Sequence, residues 1–440
     1  MTSSMTTPPP PPAPTPPPGA PAGRPAIRAR ELFSEAVSGT PGRMRVLGAV
    51  AIVACLAFGV LGFLALLGFH SDVEESRTNA EQLVRVQAIR TNLVKADASA
   101  TNAFLVGGLE PPAVREAYST GIAATARTLA EASAAQSHDS VALERVNRVL
   151  TEYTGLIEAA RANNRQGFPI GAAYLRQASR VLRDDALPRL ATLVRVEQQR
   201  FEDSTATAET AQDGLVILIV LALLALVVAQ VYLSRKTRRT FNRPLLAATA
   251  AVFVTGLLGY AVVAWTTSQV DDARAGPYRR TVAIATARIG GFDAKSDEAL
   301  TLISRGSGSA YEALFRIAAR DTTEALQSET GEPLSAGETT TASAFRQYVT
   351  EHEKLRALDD GGQHDQAVAM ATGEGTANAA FRAFERASAG ALARDAGDLA
   401  DDLSDAATAL VPMAWLVLLA GIAAAVLAWR GISERLREYR

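Results

Sequence analysis

The chain has almost none of the residues on which the commoner site chemistries depend. It holds one cysteine, Cys55, and four histidines, His70, His138, His352 and His364. A lone cysteine excludes an intrachain disulfide framework, a CxxC redox pair and a thiolate metal site. The histidines form no HExxH and no pair at i, i+4, so no catalytic, cofactor-binding or metal-binding residue is predicted and the chain reads as a non-enzyme. Gly306 and Gly308 give GSGS with no strand before it and no Lys-Ser or Lys-Thr after it, which is a turn rather than a phosphate loop.

Charge is missing from four long blocks. Val46–Phe69, Gly214–Leu233, Pro244–Thr267 and Leu410–Trp429 contain no Asp, Glu, Lys or Arg. Each has about 20 residues or more, enough to cross roughly 30 Å of hydrocarbon. With no intramembrane carboxylate, lysine or arginine, these spans lack the usual marks of an ion or proton pathway. The first block is longer than a signal-peptide core and no A-x-A site follows Phe69, so it reads as an uncleaved anchor.

The charge that is present is lopsided. Segments 1–45, 234–243 and 430–440 together carry net +10, and the remainder carries −12. Because Lys and Arg near a span stay on the cytoplasmic side, both termini and the hairpin are expected in the cytoplasm, with 70–213 and 268–409 outside a cell membrane crossed four times. Lysine accounts for only four of the 44 basic residues and alanine is abundant, a bias of high-GC bacterial genomes.

Residues 1–45 form a Pro-rich tail, with Pro8–Pro12 and Pro16–Pro18, which cannot bury a core and is expected to be disordered. A docking motif for a proline-binding module is the sharper reading of this tail; a tolerated low-complexity terminus is the commoner one.

Sliding the chain 196 residues along itself superposes its halves. Val86, Ile89, Leu93, Ala96, Ala100 and Ala103 fall on Val282, Ala285, Ile289, Phe292, Ser296 and Ala299, a 3-4-3-4-3 stripe without a gap. Asp97 falls on Asp293, and the spans repeat at nearly the same offset. Each outer segment divides into four helices. In the first, breaks are expected at Gly107–Pro112, before an N-cap at Asp139, and from Asn163 to Pro169 after a helix ending near Ala162, with a kink at Pro188. In the second they are expected at Gly306–Gly308, Gly331–Gly337 and Asp359–Gly362. The predicted fold is an all-α membrane protein: four transmembrane helices and two tandem extracytoplasmic four-helix bundles, at 70–213 and 268–409, related by internal duplication and able to pack as an intramolecular pseudo-dimer.

Candidate contact residues follow from this arrangement. Arg161, Asn163, Asn164, Arg165 and Gln166, followed by Phe168, Tyr174 and Arg176, make a dense polar tip with aromatics, where a bundle would meet a ligand or partner. Asp97 and Asp293 flank the apolar stripe at equivalent places. They could pair with arginine across a bundle or hold an amine, but solvated flanking carboxylates are the commoner case. Arg235, Lys236, Arg238 and Arg239 could touch anionic lipid or an acidic cytoplasmic protein, although topology alone accounts for them.

Long outer helices running into membrane spans resemble the four-helix-bundle sensory domains of bacterial chemoreceptors and sensor kinases. Only 11 residues, Arg430–Arg440, follow the last span, so no kinase or methylation module is expected there. The duplicated bundle, the Pro-rich start and the stretch from Asn163 to Arg176 resemble more closely the actinobacterial four-span sensor that works with a glutamine/aspartate-binding lipoprotein and the soluble serine/threonine kinase G. That resemblance implies a transducer that relays extracellular amino-acid availability (aspartate, glutamate or glutamine) from a solute-binding lipoprotein to a cytoplasmic serine/threonine kinase. A permease subunit or envelope-assembly scaffold is the alternative.

Overall fold

A computed structural model describes residues 40–106, 110, 112–166, 170–237, 242–327 and 335–437. The Pro-rich tail up to residue 39, the Gly107–Leu109 turn, Phe168, Arg238 and Arg239 lie outside the described residues. Among the described residues there are helices and no strands, and four helices are long and apolar enough to cross a membrane.

The first half comprises α1 (Thr40–Val106), α2 (Pro112–Ala135), α3 (Ser140–Arg165), α4 (Ile170–Val181) and α5 (Leu187–Thr237). The second comprises α6 (Arg243–Ala273), α7 (Arg279–Ile303), α8 (Ser309–Ala325), α9 (Ala336–Asp360), α10 (His364–Ala371), α11 (Thr376–Thr408) and α12 (Leu410–Arg437). The 67 residues of α1 pass without interruption from the first span into the first bundle, and the 51 of α5 return to the second span. No Pro or Gly pair breaks either passage at the apolar boundary, so each bundle helix is mechanically continuous with its span.

The four spans close into a ring: α1 packs on α5 and α12, and α6 packs on the same two. Small residues set the approach. A Cβ built on Gly421 would stand 2.5 Å from the Gly59 Cα and 2.8 Å from the Cys55 carbonyl oxygen, so α1 and α12 touch backbone to backbone. Leucines and valines such as Val53, Leu64, Leu224 and Leu419 face outward, as lipid contact requires. This core continues above the spans into a neck, where Phe201 of α5 and Tyr278 stack at 4.3 Å.

The two bundles share one hydrophobic core. It runs from Val86, Leu93, Leu150 and Tyr153 in the first to Ile284, Phe292, Tyr348 and Phe384 in the second, and α1 lies directly against α7. In the second bundle Gly291 leaves the space that the Phe384 ring occupies.

The structure departs from the predicted boundaries in five places. A π turn, Leu182–Ala186, precedes Pro188 where a simple kink was expected, and a second one, Arg274–Tyr278, contains Pro277. Proline lacks an N–H and collides with the carbonyl one turn back, so the wider turn accommodates it without ending the helix. Asp139 stands at the N-cap position of α3 but makes no capping bond; its carboxylate is buried and engaged elsewhere. Helix α3 continues past Ala162 to Arg165 and closes with the Gln166 N–H on the Asn163 carbonyl at 3.1 Å, so Asn163 to Arg165 form a last helical turn. The second bundle gains a short extra helix, α10, between turns that need left-handed glycines, Gly362 (φ 78°) and Gly373 (φ 56°). Start of α9 falls inside the break expected at Gly331–Gly337, because Ser335 and Glu338 form a reciprocal capping box there.

Candidate functional site

At the end of the first bundle away from the spans, the close of α1, the start of α2, the close of α3 and the start of α4 surround a recess of about 70 Å³. Its floor is apolar, formed by Ala100, Ala103, Phe104, Ile157 and Leu175, and its rim carries Glu110, Arg115, Arg161, Asn164 and Arg165. Arg161 anchors the rim. It donates to Glu110 at 2.9 Å and to Glu158 at 2.8 Å, and its guanidinium lies 4.2 Å above the Tyr118 ring. Burial works against its charge, but the Glu158 hydrogen bond and Glu110 more than offset this and raise its pKa. Arg115 and Arg165 have no ion-pair partner among the described residues. The recess therefore offers two uncommitted guanidinium groups above an apolar floor, a setting suited to a small carboxylate or an acidic side chain of a partner.

The tip candidates divide when placed on the structure. Arg161, Asn164 and Arg165 line the recess. Asn163 turns back to the Ala159 carbonyl at 2.8 Å, and Gln166 is an exposed C-cap. Tyr174 is half-buried against the bundle core rather than displayed at the tip, and Arg176 is partly exposed on the same helix. Glu110 and Arg115 were missed by sequence reading, because nothing local ties them to a turn some fifty residues later.

A second polar cluster lies between the bundles, and it corrects the solvated reading of Asp97, while Asp293 is half-buried at its edge. Asp97 is 2% exposed and accepts hydrogen bonds from Ser179 (2.8 Å), Tyr153 (3.3 Å) and, across the bundle interface, Ser296 (2.8 Å). Arg183, on the first π turn, donates to Asp297 at 2.6 Å. Burial pushes Asp297 up to about 7 and Asp293 up to about 6, against the opposing pull of Arg183 on both and of Arg90 on Asp293. The apolar stripe of α1 is buried by the other half of the chain, so Asp97 beside it is buried too.

Inside the second bundle, Lys295 donates to Glu298 (2.6 Å) and to the Ala371 carbonyl (3.0 Å), while His352 bridges Glu298 (3.0 Å) and Glu312 (3.1 Å) under the Phe315 ring. Lys295 and His352 overcome the effect of burial and hold Glu298 down to about 2; the two glutamates, against burial, raise His352. Each of these charges is partnered, so the group reads as a structural tie between α7, α8 and α9.

Residues 72–206 match the family model of the actinobacterial sensor domain. No curated protein and no solved structure matches the chain. The sensor domain coincides with the first bundle, from just above the first span, through the recess, to the neck on α5. This match supports a sensing, non-catalytic role in an actinobacterial membrane protein, and the second bundle lies outside it.

Of the basic hairpin, Arg235 is exposed at the end of α5, and Asn242 begins α6 by donating to the Gly431 carbonyl of α12 at 2.6 Å.

Proposed function

We propose that this protein is a non-enzymatic transmembrane adaptor in which the sensor domain reads extracellular amino-acid availability, through a solute-binding lipoprotein seated on its tip, and relays it to a cytoplasmic serine/threonine kinase. The observation that carries this reading is the recess at the tip of the sensor domain, where Arg115 and Arg165, beside the anchored Arg161, have no ion-pair partner among the described residues. A carboxylate from the partner or its amino acid would complete those charges. The relay would run along α1 and α5, which have no break between bundle and span. The side of the membrane on which each part lies is taken from the positive charge of the hairpin and tails. A duplicated origin of the two bundles belongs to the same reading, supported by the matching stripes and the α1–α7 contact.

The test is capture of partners from crosslinked native cells through a C-terminal tag, with and without excess aspartate, glutamate or glutamine. A binding lipoprotein and a soluble kinase should copurify in amino-acid-dependent yield, and an Arg115→Ala, Arg165→Ala double variant should lose the lipoprotein while keeping its melting temperature. Recovery of ATPase or envelope-assembly subunits, indifferent to amino acid, would replace this reading with a permease subunit or scaffold.

A further inference from the structure

A third polar corner, at the end of the sensor domain nearer the spans, has no part in the recess or the bundle interface. The 3₁₀ turn Ser137–Asp139, which joins α2 to α3, brings His138 and Asp139 against Glu197 of α5. One ring nitrogen of His138 and one carboxylate oxygen from each acid lie within 4.8 Å of one another. Asp139 is 2% exposed and Glu197 fully buried.

The protein's own partners do not complete this group. Arg200 reaches Asp139 at 3.0 Å and also Glu197, and Gln82 donates to Asp139 at 3.0 Å. One guanidinium then faces two carboxylates. The buried Glu197 Oε2 atom has no hydrogen-bond partner among the described residues. A buried carboxylate oxygen left bare in this way is uncommon and costly, and a bound cation would satisfy it.

We propose that His138, Asp139 and Glu197 bind a divalent transition-metal cation, with zinc the best fit. One imidazole with two carboxylates suits zinc, whereas calcium and magnesium favour larger all-oxygen sets. Tetrahedral zinc wants its ligand atoms about 3.3 Å apart. Metal binding would draw the three ligand atoms together to that spacing, and His138, half-exposed on a three-residue turn, has room to move. His138 would exchange its 2.9 Å contact with the Gln136 side chain for the metal. Arg200, about one-third exposed, would withdraw to solvent as the double positive charge replaces its own. Metal binding would pin the α2–α3 turn to α5, the helix that enters the second span.

The test uses the full chain in detergent with a histidine-free tag, stripped by chelator and titrated with zinc sulfate alone against a chromophoric chelator. One zinc per chain is expected. His138→Ala, a change at an exposed side chain, and Glu197→Gln should each weaken binding on the order of tenfold or more. Arg200→Ala should tighten it by removing the competitor, and His364→Ala should leave it unchanged. Zinc should raise the melting temperature of the wild type and of Arg200→Ala but not of His138→Ala. Absence of stoichiometric zinc in the wild type, wild-type affinity in both ligand variants, or no gain in Arg200→Ala would overturn the proposal.

Discussion

Replacing Asp297 with asparagine should flatten the dependence of stability on pH between 5 and 7. Asp297 is buried between the bundles beside Asp97 of α1, Arg183 of the π turn and Asp293 of its own helix, and its pKa stands at about 7 against an ordinary 3.8. A carboxyl whose pKa is raised by folding holds its proton in the native state while the unfolded chain has released it. Stability therefore falls as pH rises through that window, at about 1.4 kcal/mol per unit for each such proton. From pH 5 to 7 the loss is about 2–3 kcal/mol, shared within a set that titrates together. For a domain of this size that is a melting-temperature drop of roughly 5–10 °C. Raised His352 loses stability in the same direction, and remains in the variant. Lowered Glu298 and Glu312 act oppositely and only below their ordinary 4.5, so the wild type should be most stable near pH 4.5 and lose stability on either side. Asparagine still accepts the Arg183 hydrogen bond but cannot titrate. Melting followed by circular dichroism at 222 nm in detergent, at half-unit steps of pH, gives the comparison. Parallel curves for wild type and Asp297→Asn would refute the reasoning.

Arg161→Ala removes two ion pairs and the Tyr118 stack from a largely buried position, and should cost about 1–3 kcal/mol by thermal melting, where Arg165→Ala should cost less than about 0.5 kcal/mol. Gly421→Ala drives a methyl group into the backbone of α1 and should lower stability by about 1–3 kcal/mol, while Gly68→Ala, with nothing within 4 Å of the new carbon, should be neutral or slightly stabilising; melting in the same detergent separates them. Ser335→Ala breaks the capping box of α9 and should cost about 1 kcal/mol, read as a melting-temperature fall of roughly 2–4 °C.

What could be read from the sequence was whatever depends on spacing along one helix. Uncharged blocks located the spans, and glycine and proline located most turns, since both effects act within a few residues. Burial of Asp97 could not be read, because it depends on α7 covering the stripe of α1 from almost two hundred residues away. The recess was half legible: Arg161, Asn164 and Arg165 stood out as one polar run, but Glu110 and Arg115 join them only when the four helix ends converge. His138, Asp139 and Glu197 gave no signal, since metal-ligand spacing is recognisable only when the ligands share a turn or a helix. The π turns were half visible, as prolines in helical surroundings whose consequence depends on whether packing lets the helix go on.

The ring of spans has a consequence for how the chain can be rewired. Since α1 and α12 are neighbours, a Cβ on Gly48 would lie 3.1 Å from the side chain of Ile432, and the backbone entering the first span runs beside the backbone leaving the last. A short linker could join them, and the chain could be reopened in the hairpin between α5 and α6, giving a circular permutant that begins with α6 and ends with α5. The same geometry makes each half a hairpin of two spans and one bundle, so the two could be made as separate polypeptides and meet through the glycine contact below and the shared core above.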